Sequence, residues 1–293
     1  MTTIKAFIKS HPLLSYFALV FAISWGGMLI VVGPGAFPAN GEPFEMLLLF
    51  AYLAMLAGPS VAGILLTGLV DGRAGLREFR SRLLKWRVGA RWYAVALLTA
   101  PLVATAELLG LSLTSPDFFP RIFISTEDKA FLLQFSIVSG LMVGIFEELG
   151  WTGFAVPKMR QRYGVLGRGL IVGLMFAAWN FLVVFWVSDA TSTAGALPPA
   201  LFVLVILFTW LPAYRVLMVW VYERTNGSLL VAMLMHVSLV ASWTSMTPLA
   251  LVEVPLVIYY LVFTAALWVV VGAVALAQGG HLSRQQPLRR RVA

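Results

Sequence analysis

The chain has no cysteine and only three histidines in 293 residues. The first absence excludes thiol catalysis, disulfides and thiolate metal sites together. The second leaves no H-E-x-x-H motif and no similar histidine pair, so the usual helical zinc signature is missing too. Charge is equally scarce, at 12% of residues against 60% hydrophobic. A soluble domain of this size would need far more polar surface. The alternating ten-residue segments of a membrane barrel are also lacking. No internal repeat and no separate soluble domain can be read.

What remains is a series of apolar runs of about 20 residues, the length that crosses about 30 Å of hydrocarbon as helix. The sequence predicts an all-α, polytopic membrane bundle in a single integral-membrane domain, 1–293. Eight spans are expected, at roughly 13–33, 45–70, 92–113, 130–156, 169–187, 199–221, 228–247 and 255–277. The second is long and carries "AGPSVAG", which suggests a kink or tilt, and Pro212 is expected to bend the sixth. The first span has a short basic leader but no small-residue cleavage site, and reads as a retained helix.

The few charges are ordered. Lys5 and Lys9, the cluster Arg73 to Arg91, the group Lys158, Arg160, Arg162 and Arg168, then Arg224, and finally Arg284 to Arg291 fall on alternate loops. The other loops hold Glu42, Asp117, Glu127, Asp128, Asp189 and Glu253, with Arg121 and Lys129 as their cations. The positive-inside rule then places both termini in the cytoplasm. The net charge of +8 is topological and faces anionic lipid, and no nucleic-acid partner is expected. Residues 77–92, "REFRSRLLKWRVGARW", read as an amphipathic helix on the inner membrane surface.

Against this background "FEELGWTGF" (146–154) stands out, because it places Glu147 and Glu148 within the fourth span. They lie about 14 Å from its inner end at 1.5 Å per residue. Burying adjacent carboxylates is costly, and a membrane carboxyl is a functional candidate that can take and return a proton. On the fifth span Asn180 lies eleven residues in, and on the seventh His236 lies eight residues in, both at roughly the same depth of 12 to 17 Å. One polar cavity, open toward the cytoplasm, is expected to gather Glu147, Glu148, Asn180 and His236. Arg215 reads as nearer the inner surface, so no buried cation is expected at that depth. Glu107 is expected to make an interhelical hydrogen bond. Most tryptophans read as interfacial anchors or packing, with Trp151 and Trp179 flanking the candidate site.

The strings "EELGWTGF", "GLMFAAWN" and "LLVAMLMHVSLVAS" resemble the CAAX protease and bacteriocin-processing (CPBP, or Abi) family of intramembrane proteases, over about residues 130–250. The family motifs have the forms EExxxR, FxxxH and HxxxN on three helices of an eight-helix core. Glu147 and Glu148 match the glutamate pair, Phe176 the second motif's aromatic and His236 the third motif's histidine. Thr152, Asn180 and Val240 stand where the family has arginine, histidine and asparagine.

The resemblance implies hydrolysis of a peptide bond near the cytoplasmic face by glutamate-activated water. Read from the residues, Glu147 is the candidate base. Glu148, one turn before Thr152, is held by that hydroxyl. His236 positions the water or stabilises the oxyanion, and the Asn180 amide can donate to an oxyanion. No catalytic metal is expected, because the histidine-to-asparagine change removes the better donor, with zinc retained as a weaker alternative. The expected partners are membrane lipids and a peptide or protein substrate with a membrane-associated segment, prenylated or not. The expected location is the bacterial cytoplasmic membrane. The competing readings are a catalytically silent homologue that binds membrane peptides, and a proton-coupled transporter.

Overall fold

The computed structural model describes residues 3–33, 44–126, 128–187, 197–248 and 251–279. Glu42, Glu127, Asp189, the arginines from 284 to 291, and most of the loops 34–44 and 188–198 lie outside these residues. Among the described residues the chain is all-helical, and eight helices are long and apolar enough to cross a membrane. A short α1 (Thr3–Ser10) leads into α2 (Pro12–Val32), α3 (Phe44–Leu83) and α4 (Ala90–Ser112). A 3₁₀ turn (Pro116–Phe118) and α5 (Arg121–Ile124) precede α6 (Lys129–Glu148). A π turn (Trp151–Ala155) then runs into α7 (Val156–Met159), followed by α8 (Val165–Val187), α9 (Pro199–Arg224), α10 (Leu229–Met246) and α11 (Glu253–Ala277).

The long second helix is kinked, and its break falls at Gly72, whose φ of 67° and ψ of −156° suit a residue without Cβ. Pro212 lies inside α9, a single element from Pro199 to Arg224. One expectation needs correction: the amphipathic stretch 77–92 is not one helix. It is divided between the end of α3, a connection at 84–89 and the start of α4.

The spans are joined where side chains are smallest, as expected when lipid supplies no hydrophobic drive and close backbone contact must do the work. A Cβ on Gly140 would lie 2.6 Å from the Val237 carbonyl oxygen, and one on Gly144 would lie 3.0 Å from that of Met233, so α6 and α10 touch backbone to backbone. Gly169 and Gly173 do the same for α8, where added Cβ atoms would lie 2.5 Å from Val216 Cα and 2.4 Å from Pro212 Cα of α9. Gly150 and Gly63 cross at the π turn, with a Cβ on Gly63 falling 2.8 Å from Gly150 Cα. Each contact lies within a few residues of a motif side chain.

Polar links fix the register. Tyr214 donates to the Met235 carbonyl at 2.8 Å, Ser238 to Leu97 at 2.7 Å and Ser24 to Met55 at 2.7 Å. The α9–α10 connection is a tight turn through Asn226 and Gly227, both at positive φ, closed by the Gly227 N–H on the Tyr222 carbonyl at 2.8 Å. Ser228 then caps α10 by accepting from the Val231 N–H. That turn sets α9 and α10 antiparallel, with Arg215 nine residues before Arg224 and His236 seven after Leu229.

Candidate active site

The last turn of α6 ends in Glu147 and Glu148, and the helix widens into the π turn just beyond them. The Ala155 N–H reaches back to the Gly150 carbonyl at 3.1 Å, five residues away. Such π turns inside membrane helices re-aim neighbouring side chains and are frequent at functional sites.

Glu148 is completely buried and its oxygens are fully engaged. Oε2 accepts from the Thr152 hydroxyl. Oε1 accepts from Arg215 Nη1 at 2.5 Å and lies 2.7 Å from His236 Nδ1. Glu147 is held more loosely. Its Oε2 lies 3.6 Å from His236 Nε2 and 3.9 Å from Arg215 Nη2, and it has no hydrogen-bond partner. The two carboxylates therefore differ in kind, one locked into a polar knot and the other with an oxygen to spare.

Arg215 corrects the sequence reading, since it is buried at the same depth as the glutamates and paired with Glu148. The reason is simple: α9 continues to Arg224 rather than ending near 221, which sets Arg215 about 4.5 Å deeper. The Gly169 and Gly173 contacts then hold that helix against α8. The guanidinium carbon stacks 3.9 Å above the Phe176 ring, an arrangement that suits a desolvated arginine. A lone arginine in an otherwise apolar span, in a chain with an adjacent pair of membrane carboxylates, was the signal available in the sequence.

Phe176 also meets the His236 ring edge-on at 5.9 Å, Trp151 at 5.6 Å and Trp179 at 5.6 Å. Trp151 and Trp179 are buried within this aromatic wall, and Trp25 donates to the Trp179 carbonyl at 2.9 Å. They support the Phe176–Arg215 stack from behind.

A cavity of about 310 Å³ is lined by Glu147, Asn180, His236, Phe176 and Val240. Three of the four residues expected to share a cavity thus do so, while Glu148 lies behind the lining. Asn180 donates from Nδ2 to the Phe176 carbonyl in its own helix at 3.0 Å. The remaining walls are apolar, with aliphatic side chains such as Ile206 and Leu239 interleaved with the aromatic Tyr52, Trp210, Trp243 and Tyr260. Tyr52 is near the start of α3, Tyr260 near the start of α11, and Trp243 near the end of α10. The cavity accordingly extends toward the end of the bundle away from the basic loops, not toward them as the sequence reading expected.

Glu107 is buried and faces the backbone of Phe263 on α11, across a helix interface as expected, though without a hydrogen bond of good geometry to either carboxylate oxygen.

Glu147, Glu148 and His236 present one ligand atom each within 4.8 Å. Glu148 Oε1 is already taken by Arg215 Nη1 and His236 Nδ1, which leaves Glu147 and His236 Nε2 as the members of this trio with a ligand atom not so engaged. A catalytic zinc uses three protein ligands, so this donor set does not fit one.

Residues 129–242 match the family described as type II CAAX prenyl endopeptidase Rce1-like. A curated protein of Methanococcus maripaludis, described as CAAX prenyl protease 2, is 23% identical over 183 residues. The aligned stretch covers 60% of this chain and 64% of that protein. The family match contains Glu147, Glu148, Asn180, Arg215 and His236, and both comparisons support the resemblance read from the motifs.

Proposed function

We propose, from the premise that this chain belongs to the CAAX protease and bacteriocin-processing family over residues 129–242, that it is an intramembrane endopeptidase using glutamate-activated water. The observation that carries this reading is the inequality of the two carboxylates. Glu148 is engaged by Arg215, His236 and Thr152, whereas Glu147 lines the cavity and its buried Oε2 has no hydrogen-bond partner.

His236 donates from Nδ1 to Glu148, which leaves Nε2 as an acceptor beside Glu147 Oε2. Glu147 and His236 both line the cavity, and a water held there can give its hydrogens to the Glu147 carboxylate and to Nε2. Glu147 takes one proton from that water as its oxygen attacks the substrate carbonyl carbon. The same proton passes to the departing amide nitrogen as the C–N bond breaks, so the carboxylate ends as it began. The Asn180 amide has a second N–H beyond the one given to Phe176, and donates it to the oxyanion. Arg215 offsets the charge of Glu148, so that Glu147 carries the working proton. No metal takes part.

The substrate is a peptide with a membrane-associated segment, held along the apolar walls of the cavity, and a lipidated peptide is compatible with those walls. Comparing membrane-protein termini by quantitative proteomics, in cells expressing wild type or Glu147→Gln, tests activity and substrate together. New termini that vanish with the variant support the reading, and identical terminomes contradict it.

A further inference from the structure

A second and larger cavity, of about 970 Å³, lies at the opposite end of the bundle, where α1, the part of α3 around Gly72, and α7 meet. Lys9, Arg82, Lys158 and Arg162 line it together with Asp71 and Glu78. Both acids are already matched. Lys158 Nζ sits 2.5 and 2.7 Å from the two Asp71 oxygens, and Arg82 Nε sits 3.8 Å from Glu78. Four basic side chains against two acidic ones make the lining predominantly basic. Arg82 is also fixed by donating to the Tyr222 hydroxyl at 2.9 Å.

The position of this basin says what can reach it. The apolar spans 12–32 and 129–159 both end at its rim, so it lies where hydrocarbon gives way to headgroups. Beside it α1 exposes Ile4 and Phe7 between Lys5 and Lys9, the pattern of a helix lying in the interface. The exposed Leu14 adds an apolar lip beside the cations. Neither Glu147 nor His236 is on its lining, so it is separate from the carboxylate cavity, and no peptide held there meets the reacting groups.

We propose that this basin binds a phosphate group, supplied by the headgroup of an anionic phospholipid. The cations take the phosphate oxygens and the apolar lip takes the start of the acyl chains. The lining includes Gly153 and Phe154 of the π turn, next in sequence to the Thr152 that holds Glu148. The occupied site thereby braces the segment on which the carboxylate knot rests. The proposal stands independently of the protease reading.

The test is native mass spectrometry of the full chain in nanodiscs of phosphatidylglycerol or phosphatidylcholine, with a parallel thermal-shift titration by inorganic phosphate. One phosphatidylglycerol should be retained in preference to phosphatidylcholine. Lys9→Gln with Arg162→Gln should weaken that retention on the order of 20-fold, since each cation near an anionic headgroup is worth roughly a fivefold change. The charge-preserving pair Lys9→Arg with Arg162→Lys should restore it, which separates loss of charge from loss of fold. Stabilisation by phosphatidylglycerol but not by inorganic phosphate identifies the lipid as the source, and stabilisation by inorganic phosphate alone identifies a soluble phosphate. Equal retention of both lipids with no response to phosphate overturns the proposal. So does a folded Gln pair that binds phosphatidylglycerol as the wild type does.

Discussion

Arg215 Nη1 lies 2.5 Å from Glu148 Oε1 with both side chains buried, and 67 positions of sequence separate the two residues. Breaking a buried ion pair from one side leaves an uncompensated charge and costs about 3–5 kcal/mol, whereas replacing both partners can be close to neutral. Arg215→Met should therefore lower stability in detergent by about that amount. Arg215→Met with Glu148→Gln should recover much of the loss. Thermal or denaturant unfolding of the two variants checks this, and equal destabilisation would mean that the pair is not coupled.

The small-residue contacts make a second prediction. A Cβ at Gly173 falls 2.4 Å from Pro212 Cα, a backbone atom that cannot swing aside, whereas one at Gly26 meets nothing within 4 Å. Gly173→Ala should destabilise by about 1–3 kcal/mol through overpacking. Gly26→Ala should be neutral or stabilising by up to about 1 kcal/mol, as for a helical glycine with open space where a Cβ would go. Unfolding of the two variants under the same conditions gives the comparison.

Orientation is a third matter. The alternation of basic and acidic loops predicts both termini in the cytoplasm, and the absence of native cysteine makes single-cysteine labelling clean. Cysteines introduced in 34–43 and in 188–196 should react with a membrane-impermeant maleimide from outside intact cells. Labelling from the cytoplasm instead would invert the topology, and with it the side from which the aromatic cavity is reached.

The sequence made the class of fold and the identity of the polar helices legible, because lipid allows few solutions. A buried charge must be on an inward helix face, and residue counting sets its depth. That reasoning brought Glu147, Asn180 and His236 to one level, and they line one cavity. It failed at Arg215 because depth was counted from a helix end placed a few residues too early, and span ends are where hydropathy is least informative. It expected a kink in the long second helix but tied it to the AGPSVAG stretch, whereas the break lies at Gly72, just past the expected end of the span, where a single glycine in a polar stretch carries no periodic signal. The direction of the cavity was hidden too, because Tyr52, Trp210, Trp243 and Tyr260 read as ordinary membrane aromatics until four helices bring them together.

The most direct test of the account is the rate of peptide-bond cleavage by purified, reconstituted protein on a substrate found by terminal proteomics, measured for wild type, Glu147→Gln and Asn180→Ala. Glu147→Gln should abolish turnover, because the amide cannot take the proton from water. Asn180→Ala should lower kcat on the order of 10²-fold with KM little changed, the scale for loss of one oxyanion donor. Wild-type cleavage that is indifferent to both substitutions would contradict the account.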